Sequence, residues 1–122
     1  MSGGMNMQLI QPEKVQQALQ LWREKPLYLH LEMTTGAYAS HRDKTKHTAS
    51  AFVTNTVIRY SDGSIAGKGP YRVGLKTPDG WVYAEGLTHW DEQAQAHARL
   101  IMAGHDQEGR LIVSLQLSEE PF

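Results

Sequence analysis

Residues 57–90 contain two Asp-Gly pairs, Asp62-Gly63 and Asp79-Gly80, each set between stretches in which apolar and polar residues alternate. The favoured two-residue hairpin turn needs positive φ at both central residues, and a short polar residue followed by glycine adopts that at least cost. The run therefore predicts three consecutive antiparallel strands at the centre of the fold. It closes with Trp81-Val82-Tyr83-Ala84-Glu85-Gly86-Leu87-Thr88-His89-Trp90, which in one continuous strand puts Glu85 and His89 on the same face.

The rest of the chain extends that pattern. Residues 1–11 carry Gly3, Gly4 and three methionines without a period and read as a flexible tail. Pro12 suits the first turn of a helix, where its missing N–H is no loss, and Glu13 faces the positive end of the dipole. Val15, Ala18, Leu19 and Trp22 recur at i, i+3, i+4 and i+7, and Pro26 ends the helix near Lys25. Leu27, Leu29, Leu31 and Met33 alternate with Tyr28, His30 and Glu32, giving a half-buried first strand. Residues 34–48 have no period, and a loop of that length is a candidate lid or rim. Five more strands follow at residues 49–60, 64–77, 81–88, 99–103 and 111–117, with Gly67, Gly69, Pro70 and Gly74 bending the third strand. Residues 91–97 read as one helical turn, residues 107–109 as a hairpin turn, and the tail brings Phe122 back toward the body. The expectation is a single mainly β domain over residues 12–122. It comprises an N-terminal helix and a roughly six-stranded antiparallel meander curled into an open barrel or bent sheet, with α+β as second choice.

Composition excludes several functions. Twelve Lys plus Arg are balanced by 13 Asp plus Glu, and the basic residues are scattered, so a nucleic-acid backbone finds no electrostatic footprint. No apolar run approaches the ~20 residues that cross a bilayer, and the opening residues lack the form of a signal peptide, so no membrane association and a cytoplasmic setting are expected. The absence of cysteine rules out disulfides, thiolate metal sites and thiol nucleophiles. Six histidines remain as the supply of metal ligands or of a neutral-pH base.

Several blocks together carry a family resemblance: His30-Leu31-Glu32 with Thr35-Gly36-Ala37-Tyr38-Ala39-Ser40-His41; Gly69-Pro70-Tyr71-Arg72-Val73-Gly74-Leu75-Lys76; and Asp79-Gly80-Trp81 through His89. Met102-Ala103-Gly104-His105-Asp106, Glu108-Gly109-Arg110-Leu111 and the final Pro121-Phe122 complete the set. From about residue 12 to the C-terminus the chain resembles the YojF-like family, small uncharacterised proteins of Bacillus-type bacteria. The resemblance implies a mainly β fold of unknown function with no assigned catalytic residues. It also implies a candidate partner, because the family's genes often lie beside an LmbE-like, zinc-dependent deacetylase linked to bacillithiol synthesis.

No motif names a reaction, but some residues can carry chemistry. His30 and Glu32 share one strand face, and Glu85 and His89 another. If those strands are neighbours, the four form a cluster suited to zinc or iron, whose nitrogen and oxygen ligands sit at ~2.0–2.2 Å. His41, His105 and Asp106 are reserves. The plainer alternative is a polar, partly solvated sheet face whose side chains satisfy one another. Gly104-His105-Asp106 invites a base with an orienting carboxylate, yet adjacent strand residues point to opposite faces. Ser40-His41 lacks a nucleophile elbow. The stretch from Gly67 to Arg72 lacks the Gly-Lys-Ser/Thr ending of a phosphate loop. Trp81, Tyr83, Trp90, Tyr71 and Tyr60 are expected as core and interface aromatics, and open sheet edges favour a homodimer. Two functions follow: a binding or accessory protein, with the deacetylase as candidate partner, or a metal-dependent enzyme with a His/Glu site on a sheet face.

Overall fold

The computed structural model describes residues 7–35 and 49–122. Along the chain run β1 (Gln8–Leu9), α1 (Pro12–Leu21), β2 (Leu27–Thr35), β3 (Ala49–Ile58), β4 (Asp62–Gly67), β5 (Tyr71–Thr77), β6 (Gly80–Leu87), β7 (His89–Trp90), a 3-10 helix (Glu92–His97), β8 (Arg99–His105) and β9 (Leu111–Ser118). The expectation of a mainly β, antiparallel fold is met. The strands form two sheets, one of six in the order β1-β7-β8-β9-β2-β3 and one of three in the order β4-β5-β6. The larger sheet is bent but has free edges, so it is not a closed barrel.

The central run is divided differently from its turn chemistry. Asp62-Gly63 closes no hairpin, because β3 belongs to the six-stranded sheet and β4 opens the other. Gly63 answers to packing instead, since a Cβ there would lie 2.9 Å from the Tyr60 ring. Asp79-Gly80 does mark a hairpin, but Thr77 pairs with Gly80, so the two-residue loop is Pro78-Asp79. The single strand expected over residues 64–77 is two, β4 and β5, separated where Gly67 and Gly69 take φ of 108° and 98° and the Gly69-Pro70 peptide is cis.

Other boundaries shift for physical reasons. Gln8 and Leu9, expected in a tail, pair with Trp90 and His89, and Ile10 is buried. The helix stops at Leu21, not near Lys25. Glu24 takes φ 65° and gives its amide to the Tyr60 carbonyl at 2.8 Å, which turns the chain toward β2. The loop expected over residues 34–48 yields Thr34 and Thr35 to β2, and its remainder, with Ser40 and His41, lies outside the described residues.

One core lies between the sheets. Leu27 and Leu29 of β2, Val113, Leu115 and Leu117 of β9, Leu100 and Met102 of β8 and Trp90 of β7 face Val73 and Leu75 of β5 and Ala84 and Leu87 of β6. Val15, Ala18, Leu19 and Trp22, the helical stripe, close the side next to β4. Each fully buried Leu contributes roughly 1.5–3 kcal/mol by leaving water. The two sheets touch backbone to backbone at Gly104, where a Cβ would collide with the Gly86 carbonyl oxygen.

Candidate functional site

In an antiparallel pair, residues directly opposite one another project to the same side. The registers of the six-stranded sheet therefore assemble its outer face row by row. One row runs Leu9, His89, Ala103, Ser114, Glu32, Phe52. The next holds Ile101, Gln116 and His30, and a third Arg99, Ser118 and Tyr28. Ala103, Ser114, Ile101 and Ser118 are buried, His30, His89 and Gln116 are half-buried, and Glu32, Phe52 and His105 are exposed. The outer face thus has a floor of small and polar residues and an exposed rim, with histidines between.

Two groups stand out on this face. At the β2 end, His30 lies between Phe52, with ring centroids 5.4 Å apart, and Phe122, at 5.6 Å. Its Nδ1 is 3.2 Å from Thr54 Oγ1 and its Nε2 3.7 Å from Glu32 Oε2. Phe122 is held there by Asn55, whose Oδ1 accepts from the Phe122 amide at 2.8 Å, and by the Arg99 guanidinium 5.4 Å above its ring. Asn55 occupies an irregularity between Leu29 and Leu31 in the β2–β3 register and takes φ 57°, a conformation asparagine tolerates. At the β7 end, His89 and His105 meet with ring centroids 5.6 Å apart and an interplanar angle of 84°. His89 Nδ1 lies 2.7 Å from Thr88 Oγ1.

Asp106 is occupied by the β8–β9 turn and does not orient His105. Its Oδ1 accepts from the backbone amides of Glu108 at 2.9 Å and Arg110 at 3.0 Å, and its Oδ2 from Arg110 Nε at 3.0 Å. The Arg110 amide above all, with the Arg110 side chain and the Glu108 amide, holds this carboxyl below the usual carboxylate range.

The structure does not bring the expected quartet together. β2 pairs with β3 and β9, and β6 pairs with β5 in the other sheet, so the strands of His30 and Glu85 are not neighbours. Glu85 lies on the outer side of the three-stranded sheet, opposite Arg72 in the register and 3.4 Å from its guanidinium. It borders a depression of about 370 Å³ shared with Tyr71, Arg72 and Pro70. Parity fails between Glu85 and His89 because the strand is not continuous. β6 ends at Leu87, Gly86 takes φ 85°, and β7 begins at His89 in the other sheet. His30, Glu32 and His89 do share a face, but Glu32 and His89 are three strand spacings apart, roughly 14 Å, too far for one ion. Among the described residues no group of three or more His, Asp or Glu side chains is placed to hold a metal.

The aromatics divide. Tyr60 and Trp90 are core, as expected. Trp81 and Tyr83 are exposed, stacked at 5.5 Å with Arg72 4.8 Å above the Tyr83 ring. Phe122 does return to the body, as expected, but its partners His30, Asn55 and Arg99 and the His89–His105 contact were not foreseen. Each joins segments that are separate in the sequence, and the only local signal was Asn55 in a β-rich stretch.

No helix among the described residues is long and apolar enough to cross a membrane. Compared with known proteins, the chain matches the family described as "Protein of unknown function (DUF1806)" over residues 9–122. It is 47% identical over 116 residues to the uncharacterized protein YojF of Bacillus subtilis (strain 168), covering 95% of this chain and 98% of that protein. The crystal structure of the Bacillus subtilis YojF protein superposes with a TM-score of 0.74 at 45% identity, covering 95% of this chain and 96% of that one. The two-sheet fold and the match over nearly the whole chain agree, and this protein belongs to the DUF1806, or YojF-like, family.

Proposed function

We propose that the chain is a cytoplasmic binding or accessory protein that presents the outer face of the six-stranded sheet to a protein partner. The first candidate partner is an LmbE-like, zinc-dependent deacetylase. The observation that carries this is the make-up of that face: buried Ser114 and Ser118 at its floor, half-buried His30, His89 and Gln116 around them, exposed Phe52 at the rim. Exposed Phe52 is the kind of aromatic anchor that protein interfaces are built around, and the polar side chains beside it supply hydrogen-bonding neighbours. His30 and His89 each lie within hydrogen-bond distance of a threonine hydroxyl, which fixes the ring on this face. Mixed at micromolar concentration, the two untagged proteins should co-elute in gel filtration, and Ser114→Arg, which fills the floor, should abolish the shift. Separate elution of the wild-type proteins would remove this function.

Self-association belongs to the same proposal and is assigned to β3, the edge strand of the larger sheet. Ala49–Ile58 contains no charged residue, proline or glycine, and its Phe52 and Val57 are exposed. Natural edge strands usually carry such guards. Sedimentation equilibrium should give a dimer for the wild type and a monomer for Val57→Lys, and a wild-type monomer would rule this interface out.

A further inference from the structure

The contact between His89 and His105 is the one place among the described residues where two imidazoles meet. From its geometry we propose a surface site for one divalent transition-metal ion of the copper, nickel and zinc class, ligated by His89 and His105. It rests on neither the partner nor the dimer.

The first argument is span. An ion ~2.0–2.1 Å from a ring nitrogen lies roughly 3.2 Å from that ring's centroid, so two imidazoles at ~90–120° about it have centroids roughly 4.5–5.5 Å apart. The pair stands at 5.6 Å, just beyond that range, with its rings at 84° and edge to face, so an ion would draw the two rings around by side-chain rotation.

Tautomer is the second. The Thr88 hydroxyl lies 2.7 Å from His89 Nδ1 and 3.5 Å from the Ala103 carbonyl oxygen. A hydroxyl can accept as well as donate, so with an ion on Nε2 the Nδ1–H of His89 has Thr88 Oγ1 to donate to. Nδ1 is engaged by Thr88, so Nε2 is the nitrogen that would meet an ion, and Thr88 would hold the ring in place behind it.

Third is the immediate charge environment. The nearest carboxylate in sequence, Asp106, is consumed by the turn amides and Arg110, so it stiffens the strand end behind His105 without competing for the ion. The donor set is imidazole alone, in a chain without cysteine, which selects copper, nickel and zinc over magnesium or calcium. With no third His, Asp or Glu in reach among the described residues, the remaining positions belong to water or to a ligand from another molecule. Such a site is exchangeable and not structural.

The test uses the untagged full chain and Cu2+, Ni2+ and Zn2+ alone. Titration calorimetry should show one equivalent bound, tightest for Cu2+. His89→Gln and His105→Gln should each weaken binding at least tenfold, Thr88→Val should weaken it about tenfold, and His30→Gln and His97→Gln should leave it unchanged. Electron paramagnetic resonance of the Cu2+ form should show two coordinated imidazole nitrogens. Thermal melts of the metal-free variants should match the wild type, separating lost ligation from lost folding. Absence of binding, binding undiminished in both His89→Gln and His105→Gln, or equal loss in His30→Gln or His97→Gln would overturn the site.

Discussion

Gly104 has no room for a side chain. A methyl group there would collide with the Gly86 carbonyl oxygen of the other sheet, and backbone cannot swing aside as a side chain can. Gly104→Ala should therefore cost ~3 kcal/mol or more, seen as a lowered midpoint in urea with an unchanged slope. Tyr60 is constrained through its polar end. Its ring is fully buried, its hydroxyl donates to the Leu19 carbonyl at 2.6 Å, and burial raises its pKa far above the ordinary value, with nearby Arg23 opposing. Tyr60→Phe leaves that carbonyl unpaired and should cost about 1–3 kcal/mol. The sign of the pH effect follows. The folded state keeps the proton and the unfolded state releases it near pH ~10, so this stability is complete below pH ~10 and declines above it. An alkaline titration by circular dichroism should show Tyr60→Phe losing less stability above pH ~10 than the wild type. Equal losses would contradict the assignment. Both constraints come from neighbours distant in the chain, which is why Gly104 stood in the sequence only as the start of a Gly-His-Asp motif.

Among the elements, the helix and the strand at β2 were legible because each declares its period within a few residues: Val15, Ala18, Leu19 and Trp22 at helical spacing, Leu27, Leu29 and Leu31 at spacing two. Boundaries were less so, since they are set by tertiary partners, as with Glu24 and the Tyr60 carbonyl. The link between α1 and β4 lay beyond any periodic signal. Gln16 Nε2 donates to the Gly63 carbonyl at 2.9 Å, and its Oε1 accepts from the Ile65 amide at 3.0 Å. One side-chain amide does for β4 what an adjoining strand would do. Gln16→Leu should keep the helix but leave both groups unpaired, costing about 1–3 kcal/mol, with faster hydrogen exchange at Ile65 as the local sign. The Asn55 clamp is separable from this. Asn55→Ala removes both the tolerance for φ 57° and the acceptor for Phe122, so exchange should rise at residues 119–122 while α1 stays protected.

For the whole molecule, class was legible and topology was not. Alternation and turn residues announce antiparallel strands, but no local pattern says that a chain changes sheets. It does so twice near the candidate site, between β3 and β4 and between β6 and β7. The second crossing, at Gly86 to Thr88, carried His89 away from Glu85 and replaced the expected His/Glu quartet with a histidine pair. His30 and Glu32 were rightly placed on one strand face by parity, and that His89 shares the outer face with them followed only from the strand order.

The Gln16 contact also bears on solubility. β4 is an outer strand of the small sheet, and Gln16 is what occupies its open hydrogen-bonding groups at Gly63 and Ile65. A helix that frays, or lacks that amide, leaves an edge able to recruit a strand from another molecule. N-terminal truncation or Gln16→Leu should therefore make the protein prone to fibrillar deposits on mild heating. Thioflavin T fluorescence would report them well before global unfolding.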